Sequence, residues 1–254
     1  MDLTIAVLHY NRWDLTKDCL ASIDTQEIPC TYEKVLVDNG SDHALPEPLP
    51  GWRIVRSEPN RGNIGGQNLC FEHAKGTWVL FVANDVRLQP RCIRGIWNST
   101  IQVFPFAAQI QPALFTPTGE IDQTGMSWRW PGYGISRKAN QSGFVQIIPS
   151  SCYFMRRDTW KNVGGFDETL LSSHEDVDMG LRLVGEKVVR TNSHAIHLGN
   201  ATLKYTLSNH RQVFHDARLR VIRKHYRGLN YWSRYLAIQL LDHLPRVVFP
   251  LPSE

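Results

Sequence analysis

Three acidic residues crowd into four positions of the segment LLSSHEDVDMGLRLVGEKVV, which covers residues 170–189. They are Glu175, Asp176 and Asp178. A carboxylate that faces a crevice can take a proton from a substrate hydroxyl, which is the role of a general base. Carboxylates in the first turn of a helix also stabilise it through the helix dipole, so the same residues have a structural explanation. The segment alone favours that explanation, and the rest of the chain must decide.

The pattern around these acids predicts a helix from Ser173 to Gly185. Ser173 is followed three residues later by Asp176, which resembles a capping box with Asp in place of Glu or Gln. Apolar residues then recur at i, i+4 and i+7, which is one face of a helix. Asp178 lies two positions after Asp176 and therefore on another side. We expect Asp178 to be structural or to face an acceptor.

A second set of polar residues follows four predicted strands, with one cluster at the end of each strand. The clusters are HYN at 9–11, DNGSD at 38–42, EPNRGNIGGQN at 58–68 and AND at 83–85. Turn chemistry alone explains one such cluster. The carboxyl ends of parallel strands meet at one edge of a sheet, where open α/β sheets bind ligands. Four clusters on a single edge therefore indicate a binding crevice.

The residue types in these clusters suit a nucleotide diphosphate. Asp38 offers acceptor oxygens to a base or a ribose. Gly62, Gly65 and Gly66 allow close approach of the backbone, and the helix start that follows offers unpaired N–H groups to an anion. A dinucleotide site would need G-x-G-x-x-G after the first strand. The first turn, HYNRWD, contains no glycine, so NAD is disfavoured.

Asp85, with Asn84 beside it at a strand end, is a candidate ligand for a hard cation. Mg²⁺ and Mn²⁺ commonly bridge one or two protein carboxylates to a diphosphate. The predicted cofactor is therefore Mn²⁺ or Mg²⁺.

Alternating strands and helices must position these clusters. Apolar runs predict strands at 3–10, 34–38, 52–56 and 78–82, and helices are predicted at 14–23, 64–75 and 90–103. This alternation indicates an α/β fold with a mostly parallel central sheet flanked by helices. In the less regular second half we predict a strand at 144–155, a helix at 158–163, short strands at 187–190 and 194–197, and helices at 209–226 and 231–243.

The composition bounds the class of protein. The chain has 254 residues, 42% apolar and 20% charged, which suits one large domain or a domain with an appendage. Its five cysteines are scattered and form no C-x-x-C pair. We therefore expect reduced thiols in a cytoplasmic protein, and neither a disulfide framework nor a zinc site. No secretory signal and no membrane-spanning stretch is predicted.

The net charge of +4 is unevenly distributed. Residues 204–254 contain nine Lys or Arg and three Asp or Glu, a net of +6. We predict one domain at 1–203 and a basic, aromatic helical extension at 204–254. An anionic membrane surface, contacted peripherally, is one partner for such a tail. A solvated face, packing on the core, and packing on a second subunit in an oligomer are the alternatives. No nucleic-acid recognition motif appears, so nucleic-acid binding is not expected.

Five segments, in order, resemble family 2 glycosyltransferases with the GT-A fold, of the rhamnosyltransferase-like kind. They are VLHYNR at 7–12, VLVDNGSD at 35–42, NRGNIGGQN at 60–68, FVANDV at 81–86 and GGFDETLLSSHEDVDMGLR at 164–182. The last segment is the most specific. The resemblance implies an inverting transfer of a sugar from a UDP-, dTDP- or GDP-linked donor to a hydroxyl on a glycan, a lipid-linked glycan or a protein glycan. Rhamnose is the sugar it suggests.

The resemblance also implies roles for individual residues. The nucleotide-sugar site would comprise His9, Tyr10, Asn11, Arg12, Asp38, Asn39, Ser41, Asn60, Arg61, Gly62, Gly65, Asn68, Asn84 and Asp85. Asp176 would act as the base with Glu175 supporting it, and a metal would bind Asp85 and His197. The first position of the D-x-D motif falls on Ala83, which has no ligand atom.

The irregular segment 116–146 and the tail would set the acceptor. Trp128, Trp130, Tyr133 and His174 are candidate acceptor contacts, because sugars stack on aromatic faces. A loop that packs on itself explains the aromatic stretch MSWRWPGYG equally well.

Two other functions stay open. A non-catalytic nucleotide-sugar or glycan-binding module would bind a nucleotide without turnover, and Ala83 favours it. A sugar-nucleotide pyrophosphorylase shares the broad fold. It would need a glycine-rich, basic loop after the first strand, and HYNRWD is not such a loop.

Overall fold

A mixed β-sheet flanked by helices occupies the centre of the protein. A computed structural model describes residues 1–46, 48–103, 105–137, 142–170, 173–183, 187–199 and 210–243. The strands are β1 Leu3–His9, β2 Tyr32–Asp38, β3 Trp52–Arg56, β4 Trp78–Ala83, β5 Val86–Leu88, β6 Ala107–Phe115, β7 Ile121–Gln123, β8 Met126–Arg129, β9 Tyr133–Ser136, β10 Gly143–Phe144, β11 Cys152–Arg156 and β12 Lys187–His197. The helices are α1 Trp13–Asp24, α2 Gly62–Glu72, α3 Cys92–Asn98, α4 Arg157–Asn162, α5 Glu175–Arg182, α6 His210–His225 and α7 Gly228–His243. The predicted α/β class is confirmed.

The strand order explains how the sheet combines parallel and antiparallel parts. The sheet runs β10-β12-β6-β11-β4-β1-β2-β3, with β5 paired on β12 and β7 on β6. The half formed by β3, β2, β1 and β4 is parallel, as the alternation of strands and helices predicted. β11 runs antiparallel to β4 and β6, so the sheet is mixed beyond β4. β8 and β9 form a separate antiparallel hairpin.

The register of the parallel strands places the predicted polar clusters side by side. His9, the last residue of β1, is paired with Asp38, the last residue of β2. Asp38 is paired in turn with Arg56 at the end of β3. On the other side of β1, Leu8 is paired with Ala83 at the end of β4. The carboxyl ends therefore form one continuous edge.

Both faces of the parallel strands are covered, which explains their nearly continuous apolar sequence. Successive side chains of a strand point to opposite faces. Val79 and Phe81 of β4 accordingly pack with Phe71 of α2 on one face. Leu80 of β4 packs with Leu20 of α1 on the other. Full burial of each such side chain stabilises the fold by about 1.5–3 kcal/mol.

Two predictions about where strands begin and end are wrong. The single strand predicted at 144–155 is divided into β10 and β11. Pro149 lies between them, and its missing N–H interrupts ladder pairing. The two strands predicted at 187–190 and 194–197 form one strand, β12, whose register shifts between Arg190 and His194. Such an irregularity breaks the periodicity that marks a strand in a sequence.

Helices α6 and α7 pack onto the same core as the sheet. Ala217 and Ile222 of α6 and Ile238 of α7 belong to the buried cluster that contains Val177 of α5. The predicted boundary between residues 203 and 204 lies outside the described residues, and so does Gly185, the predicted end of α5. In the part of the chain that is described, no helix has the length and apolar character to cross a membrane.

Candidate active site

A cavity of about 740 Å³ opens at the carboxyl edge of the sheet. Its size is that of a pocket for a small organic ligand or cofactor. Ten of the predicted site residues line it: Tyr10, Asn39, Asn60, Gly62, Asn84, Asp85, His174, Glu175, Asp176 and His197. The acids at 175–176 and the cluster at 83–85 therefore share one cavity, as the predicted binding crevice requires.

The remaining predicted site residues do not line this cavity. They are His9, Asn11, Arg12, Asp38, Ser41, Arg61, Gly65, Asn68, Trp128, Trp130 and Tyr133. Many of their polar groups bond to other parts of the protein, and those bonds shape the edge of the cavity.

Asp38 is buried at the end of β2, and both of its carboxylate oxygens accept hydrogen bonds from the protein. Arg56 donates to Oδ2 at 2.6 Å, and the backbone N–H of Ser41 donates to Oδ1 at 3.0 Å. These bonds fix the loop that follows β2. The predicted contact of Asp38 with a base or ribose is therefore limited to the lone pairs that these donors leave.

Asn39 holds the glycine-rich turn against the end of β2. Its side-chain nitrogen donates to Oδ1 of Asn60 at 3.1 Å and to the carbonyl of Gly62 at 2.9 Å. Its Oδ1 accepts from the N–H of Arg61 at 3.0 Å. Gly62 has a φ of 70°, in the left-handed region that glycine enters without a steric cost. The turn that would approach a diphosphate is thus positioned by the Asn39 side chain together with that of Asn60, whose Oδ1 also accepts from the N–H of Gly62 at 2.6 Å.

The side chains of Arg61 and Asn68 bond to the segment before α5. Arg61 pairs with Glu168 at 2.6 Å. Asn68 donates to the carbonyl of Phe166 at 3.0 Å and accepts from its N–H at 2.9 Å. Gly65 allows this arrangement, since a Cβ there would lie 2.6 Å from the Cβ of Arg61. These residues of the predicted nucleotide-sugar site connect α2 to the loop that leads to α5.

The polar cluster after β1 is held by similar contacts. Nδ1 of His9 lies 2.7 Å from Oγ1 of Thr16, and burial lowers the pKa of His9. The side chain of Asn84 donates to the same Oγ1 at 3.1 Å. Asn11 donates to Asp42 at 2.9 Å. The loops after β1, β2 and β4 are therefore joined by side-chain hydrogen bonds at the cavity edge.

Glu175, the first residue of α5, is buried, and one of its oxygens accepts three hydrogen bonds. Oε1 receives the hydroxyl of Ser150 at 2.6 Å, Nδ2 of Asn63 at 3.3 Å and Nε2 of Gln67 at 3.4 Å. Gln67 accepts in turn from the hydroxyl of Tyr153 at 2.9 Å. The start of α5 is thereby fixed to both α2 and the sheet.

Asp176 lines the cavity directly after this anchored residue. Its Oδ1 accepts a 2.7 Å hydrogen bond from the N–H of Val177. Burial and the neighbouring charge of Glu175 raise the pKa of Asp176 to about 7. A general base acts best when its pKa lies near the working pH. The geometry and the pKa of Asp176 therefore suit proton transfer at neutral pH.

The predicted capping box is wrong. The residue that precedes α5 is His174, which has a φ of 62°, and Ser173 lies 2.6 Å from Nδ1 of His174 instead of capping the helix. A non-glycine residue in the left-handed region is uncommon and is found where function or tight packing demands it. Burial and then the charge of Arg218 lower the pKa of His174 to about 4, so this cavity-lining ring is neutral at pH 7.

His197 lies between two carboxylates. Its Nε2 is 3.6 Å from Oδ2 of Asp85, and its Nδ1 is 2.6 Å from Oδ2 of Asp122. Burial opposes protonation of His197, but the hydrogen bond with Asp122 and the charge of Asp85 raise its pKa. Asp122 lies in the short strand β7, and no motif in the sequence marks it.

The donor set of Asp85 and His197 fits a divalent cation. Ligand atoms lie about 2.1 Å from Mg²⁺, so two atoms 3.6 Å apart can reach one ion. Ala83 lines the cavity without adding a ligand. Among the residues described, no group of three or more His, Cys, Asp or Glu is placed to hold a metal ion. Diphosphate oxygens and water would have to complete the coordination.

Asp178 is structural, one of the two roles expected for it. It is fully buried and accepts from Arg182 at 2.8 Å, from Lys224 at 2.9 Å and from His225 at 2.8 Å. Burial opposes its ionisation, but the bonds from His225 and Lys224 outweigh burial and lower the pKa of Asp178. These contacts join α5, which begins beside the cavity, to the end of α6.

Helix α6 supplies part of the cavity wall that the sequence did not reveal. Val213 and Phe214 line the cavity, and the ring of Phe214 lies 5.8 Å from that of His174. The ring centroids of Trp128 and His174 are 6.0 Å apart, although Trp128 does not line the cavity. Trp130 is 59% exposed. Of the four predicted acceptor contacts, only His174 lines the cavity itself.

Three comparisons place the chain among known proteins. The family model described as "Glycosyl transferase family 2" matches residues 4–164. The O-antigen biosynthesis protein RfbC of Myxococcus xanthus is 26% identical over 204 residues, which cover 71% of this chain and 16% of that protein. The N-acetylglucosaminyl-diphospho-decaprenol L-rhamnosyltransferase of Mycobacterium tuberculosis is 24% identical over 184 residues, covering 59% of this chain and 60% of the relative.

Solved structures agree with the fold. A structure of GalNAc-T7 with UDP, GalNAc and Mn²⁺ superimposes with a TM-score of 0.74 at 16% identity, over 96% of this chain and 52% of that one. The mannosyltransferase PcManGT of Pyrobaculum calidifontis, in complex with GDP-Man and Mn²⁺, gives a TM-score of 0.60 at 16% identity, over 95% of this chain and 70% of that one. The predicted GT-A fold is thereby confirmed. Since the family model matches well over half of its residues, the chain belongs to glycosyl transferase family 2.

Proposed function

We propose that this protein is an inverting glycosyltransferase that moves a sugar from a nucleotide diphosphate to an acceptor hydroxyl. The observation that carries the proposal is the position of Asp176. This carboxylate lines the same cavity as Asp85 and His197, it follows the anchored Glu175, and its pKa is raised to about 7. A carboxylate base and a candidate cation site in one cavity suit sugar transfer from a diphosphate.

The chemical step follows from these positions. The acceptor oxygen attacks the anomeric carbon of the donor sugar, opposite the leaving diphosphate. The new carbon–oxygen bond forms as the bond to the diphosphate oxygen breaks, and Asp176 takes the acceptor proton. Attack from the opposite side inverts the anomeric centre. A bound Mn²⁺ or Mg²⁺ would neutralise negative charge on the departing diphosphate, and Asp85 and His197 would hold it.

Tyr10, Asn39, Asn60, Gly62 and Asn84 line the part of the cavity assigned to the nucleotide. The loops that carry these residues are held together by hydrogen bonds. Few of their side chains therefore have to become ordered when the donor binds. Such pre-organisation reduces the entropic cost of binding and of transfer.

The sugar and the acceptor are proposed from the relatives alone. One relative is named as an L-rhamnosyltransferase that acts on a lipid diphosphate and another as an O-antigen biosynthesis protein. We propose rhamnose as the first sugar to test, with a lipid-linked or polymeric glycan as acceptor. The chain spans 16% and 60% of the lengths of these two relatives.

The first experiment measures binding and turnover together. The melting temperature is recorded with UDP, dTDP and GDP, each with and without Mn²⁺, because a ligand of the native state raises it by mass action. The corresponding sugar nucleotides are then assayed for transfer. Asp176→Asn should keep the nucleotide-induced shift and lose about 10²–10⁴-fold in turnover. Asp158→Asn, an exposed acid on α4, is the matched control.

A second candidate function is a nucleotide-sugar or glycan-binding module without turnover. It is favoured by Ala83, which removes one ligand position from the D-x-D motif. This module would show the thermal shift with no transfer to any acceptor, and Asp176→Asn would change nothing. If no diphosphate raises the melting temperature under any condition, the transferase and the nucleotide-sugar-binding module are both wrong, and a glycan-binding module is the candidate that stays.

A further inference from the structure

Helix α7 carries an apolar face that the described residues leave exposed. Leu229, Trp232, Leu236 and Leu240 are spaced by three, four and four residues, which places them on one side of a helix. Their exposed fractions are 89%, 55%, 56% and 68%. We call these four residues the α7 stripe. At 1.5 Å per residue the stripe is about 17 Å long.

The other side of α7 fixes the helix to the protein. Ile238 is fully buried, and it packs with Ile222 of α6 around Gly132. Arg234 donates to the carbonyl of Pro131 at 3.1 Å and lies 4.0 Å over the ring of Tyr226. The helix is therefore held without the α7 stripe. Contiguous exposed apolar side chains that the fold does not use indicate an interaction surface.

Aromatic rings accompany the stripe. Trp232 contacts the rings of Tyr231 and Tyr235 at centroid distances of 5.1 and 6.0 Å. Trp and Tyr are enriched where a protein surface meets the headgroup region of a bilayer, since their rings combine an apolar body with a polar edge. A leucine-rich face that contains a tryptophan is typical of helices lying in a membrane interface.

Helices α6 and α7 together carry a net positive charge, which favours an anionic partner. Residues 210–243 contain seven Arg or Lys and two Asp, a net of +5, which exceeds the +4 of the whole chain. Arg220, Arg223 and Arg227 are exposed. Basic residues near an anionic bilayer are attracted by its negative surface potential. Two copies of this surface would instead repel each other, which disfavours self-association as the use of the stripe.

Helix α7 also contacts the helix that forms part of the cavity wall. Nε2 of Gln239 on α7 lies 3.4 Å from Nε2 of His215 on α6. The two residues before His215 are Val213 and Phe214, which line the cavity. Gln239, the residue before Leu240, therefore lies against the helix that forms this part of the cavity wall.

We propose that the α7 stripe docks this protein onto an anionic membrane surface. Trp232 and the leucines enter the headgroup region, while the arginines of α6 and of the turn between α6 and α7 face lipid phosphates. Docking does not depend on the proposed transfer activity. If that activity holds, docking brings the cavity to an acceptor carried on a lipid.

The test is co-sedimentation of the full chain with vesicles of phosphatidylcholine alone and of phosphatidylcholine with about 30% phosphatidylglycerol. We expect binding to the anionic vesicles and weaker binding as salt is raised, because exposed charges are screened. The double variant L236E/L240E should bind at least about tenfold more weakly, since it places two charges in the apolar face. Phe106→Glu is the matched control, because Phe106 is 77% exposed and lies outside the stripe.

Three results would overturn the proposal. One is the lack of vesicle binding by the unaltered chain at low salt. Another is equal binding by L236E/L240E, with an unchanged melting temperature showing that the variant is folded. A third is a dimer in sedimentation velocity that L236E/L240E separates into monomers while neither form binds vesicles, which would assign the stripe to a second copy. Transfer to a soluble acceptor, measured in parallel, separates a failure of docking from a failure of the proposed activity.

Discussion

Ser150 and Glu175 are joined by a 2.6 Å hydrogen bond from the serine hydroxyl to Oε1 of the glutamate. The bond connects the turn before β11 with the first residue of α5. It keeps Glu175 beside Asp176, where burial and then the charge of Glu175 raise the pKa of Asp176. The pH dependence of the proposed reaction should therefore be set by Asp176 and its neighbour Glu175.

For the unaltered protein we expect kcat/KM to rise with pH through about 7, as Asp176 loses its proton and becomes able to act as a base. The measurement is a pH–rate profile at saturating metal. Nucleotide affinity measured over the same range is the control, because it should not follow the same curve. A rate that is flat from about pH 5 to pH 9 would exclude Asp176 as the titrating base.

Glu175→Gln should shift the rising limb of this profile to lower pH, by about one unit, because removal of a like charge makes ionisation of Asp176 easier. Glutamine retains an oxygen that can accept from Ser150, so the helix start keeps its anchor. The same pH–rate profile measures the shift. An unmoved limb would show that burial alone sets the pKa of Asp176.

Asp178→Asn should lower the free energy of unfolding by about 3 kcal/mol, since it leaves the charges of Arg182 and Lys224 without their buried partner. Urea denaturation at pH 7 measures the loss. The control is Glu72→Gln, which removes the charge of Glu72 from its ion pair with Arg61 at the surface, 3.4 Å apart. This change should alter stability little.

The contribution of Asp178 also depends on pH. Its pKa is lowered in the folded protein, so its stabilising effect is complete above the unfolded value of about 4. The effect is lost as the pH falls below that value toward the folded pKa. The stability difference between Asp178→Asn and the unaltered chain should therefore shrink on acidification. A difference that stays constant at low pH would contradict the ion-pair account.

Asp122→Asn should weaken Mn²⁺ binding about 10- to 100-fold, because a carboxylate behind a ligating histidine orients the ring and raises its basicity. Titration of Mn²⁺ in the presence of a nucleoside diphosphate, followed by electron paramagnetic resonance, measures the affinity directly. Glu120→Gln changes an exposed acid two residues away and serves as the control. Equal affinities would mean that Asp122 does not support His197 as a ligand of the ion.

The sequence was sufficient to predict the edge where the site lies. Parallel strands must bring their carboxyl ends together, so polar residues after β1, β2 and β4 had to meet, and Asp85 and Asp176 both line the resulting cavity. Strands and helices of this kind are recognised from the spacing of apolar residues, which recur every two residues in a strand and every 3.6 residues in a helix. This part of the fold follows from short-range chemistry.

Other parts of the site depend on contacts between distant segments. Asp122 bonds to His197 across 75 positions and Ser150 bonds to Glu175 across 25. Phe214 enters the cavity because α6 packs on the core. A sequence motif identifies candidate site residues by their type. It does not show which of their side chains are bonded to other residues of the protein. Arg61 illustrates this, since its guanidinium pairs with Glu168.

Helices α6 and α7 share a hydrophobic core with the sheet, and this packing limits how the cavity can change among relatives. Val213 and Phe214 contact the cavity from the same helix whose Ala217 and Ile222 are buried with the sheet. Exchanging this hairpin for that of another family member would alter the cavity wall and the hydrophobic core in one step. A new shape of this wall would thus call for compensating changes in the packing of α5, which makes the shape of the cavity and thermodynamic stability evolve as linked traits.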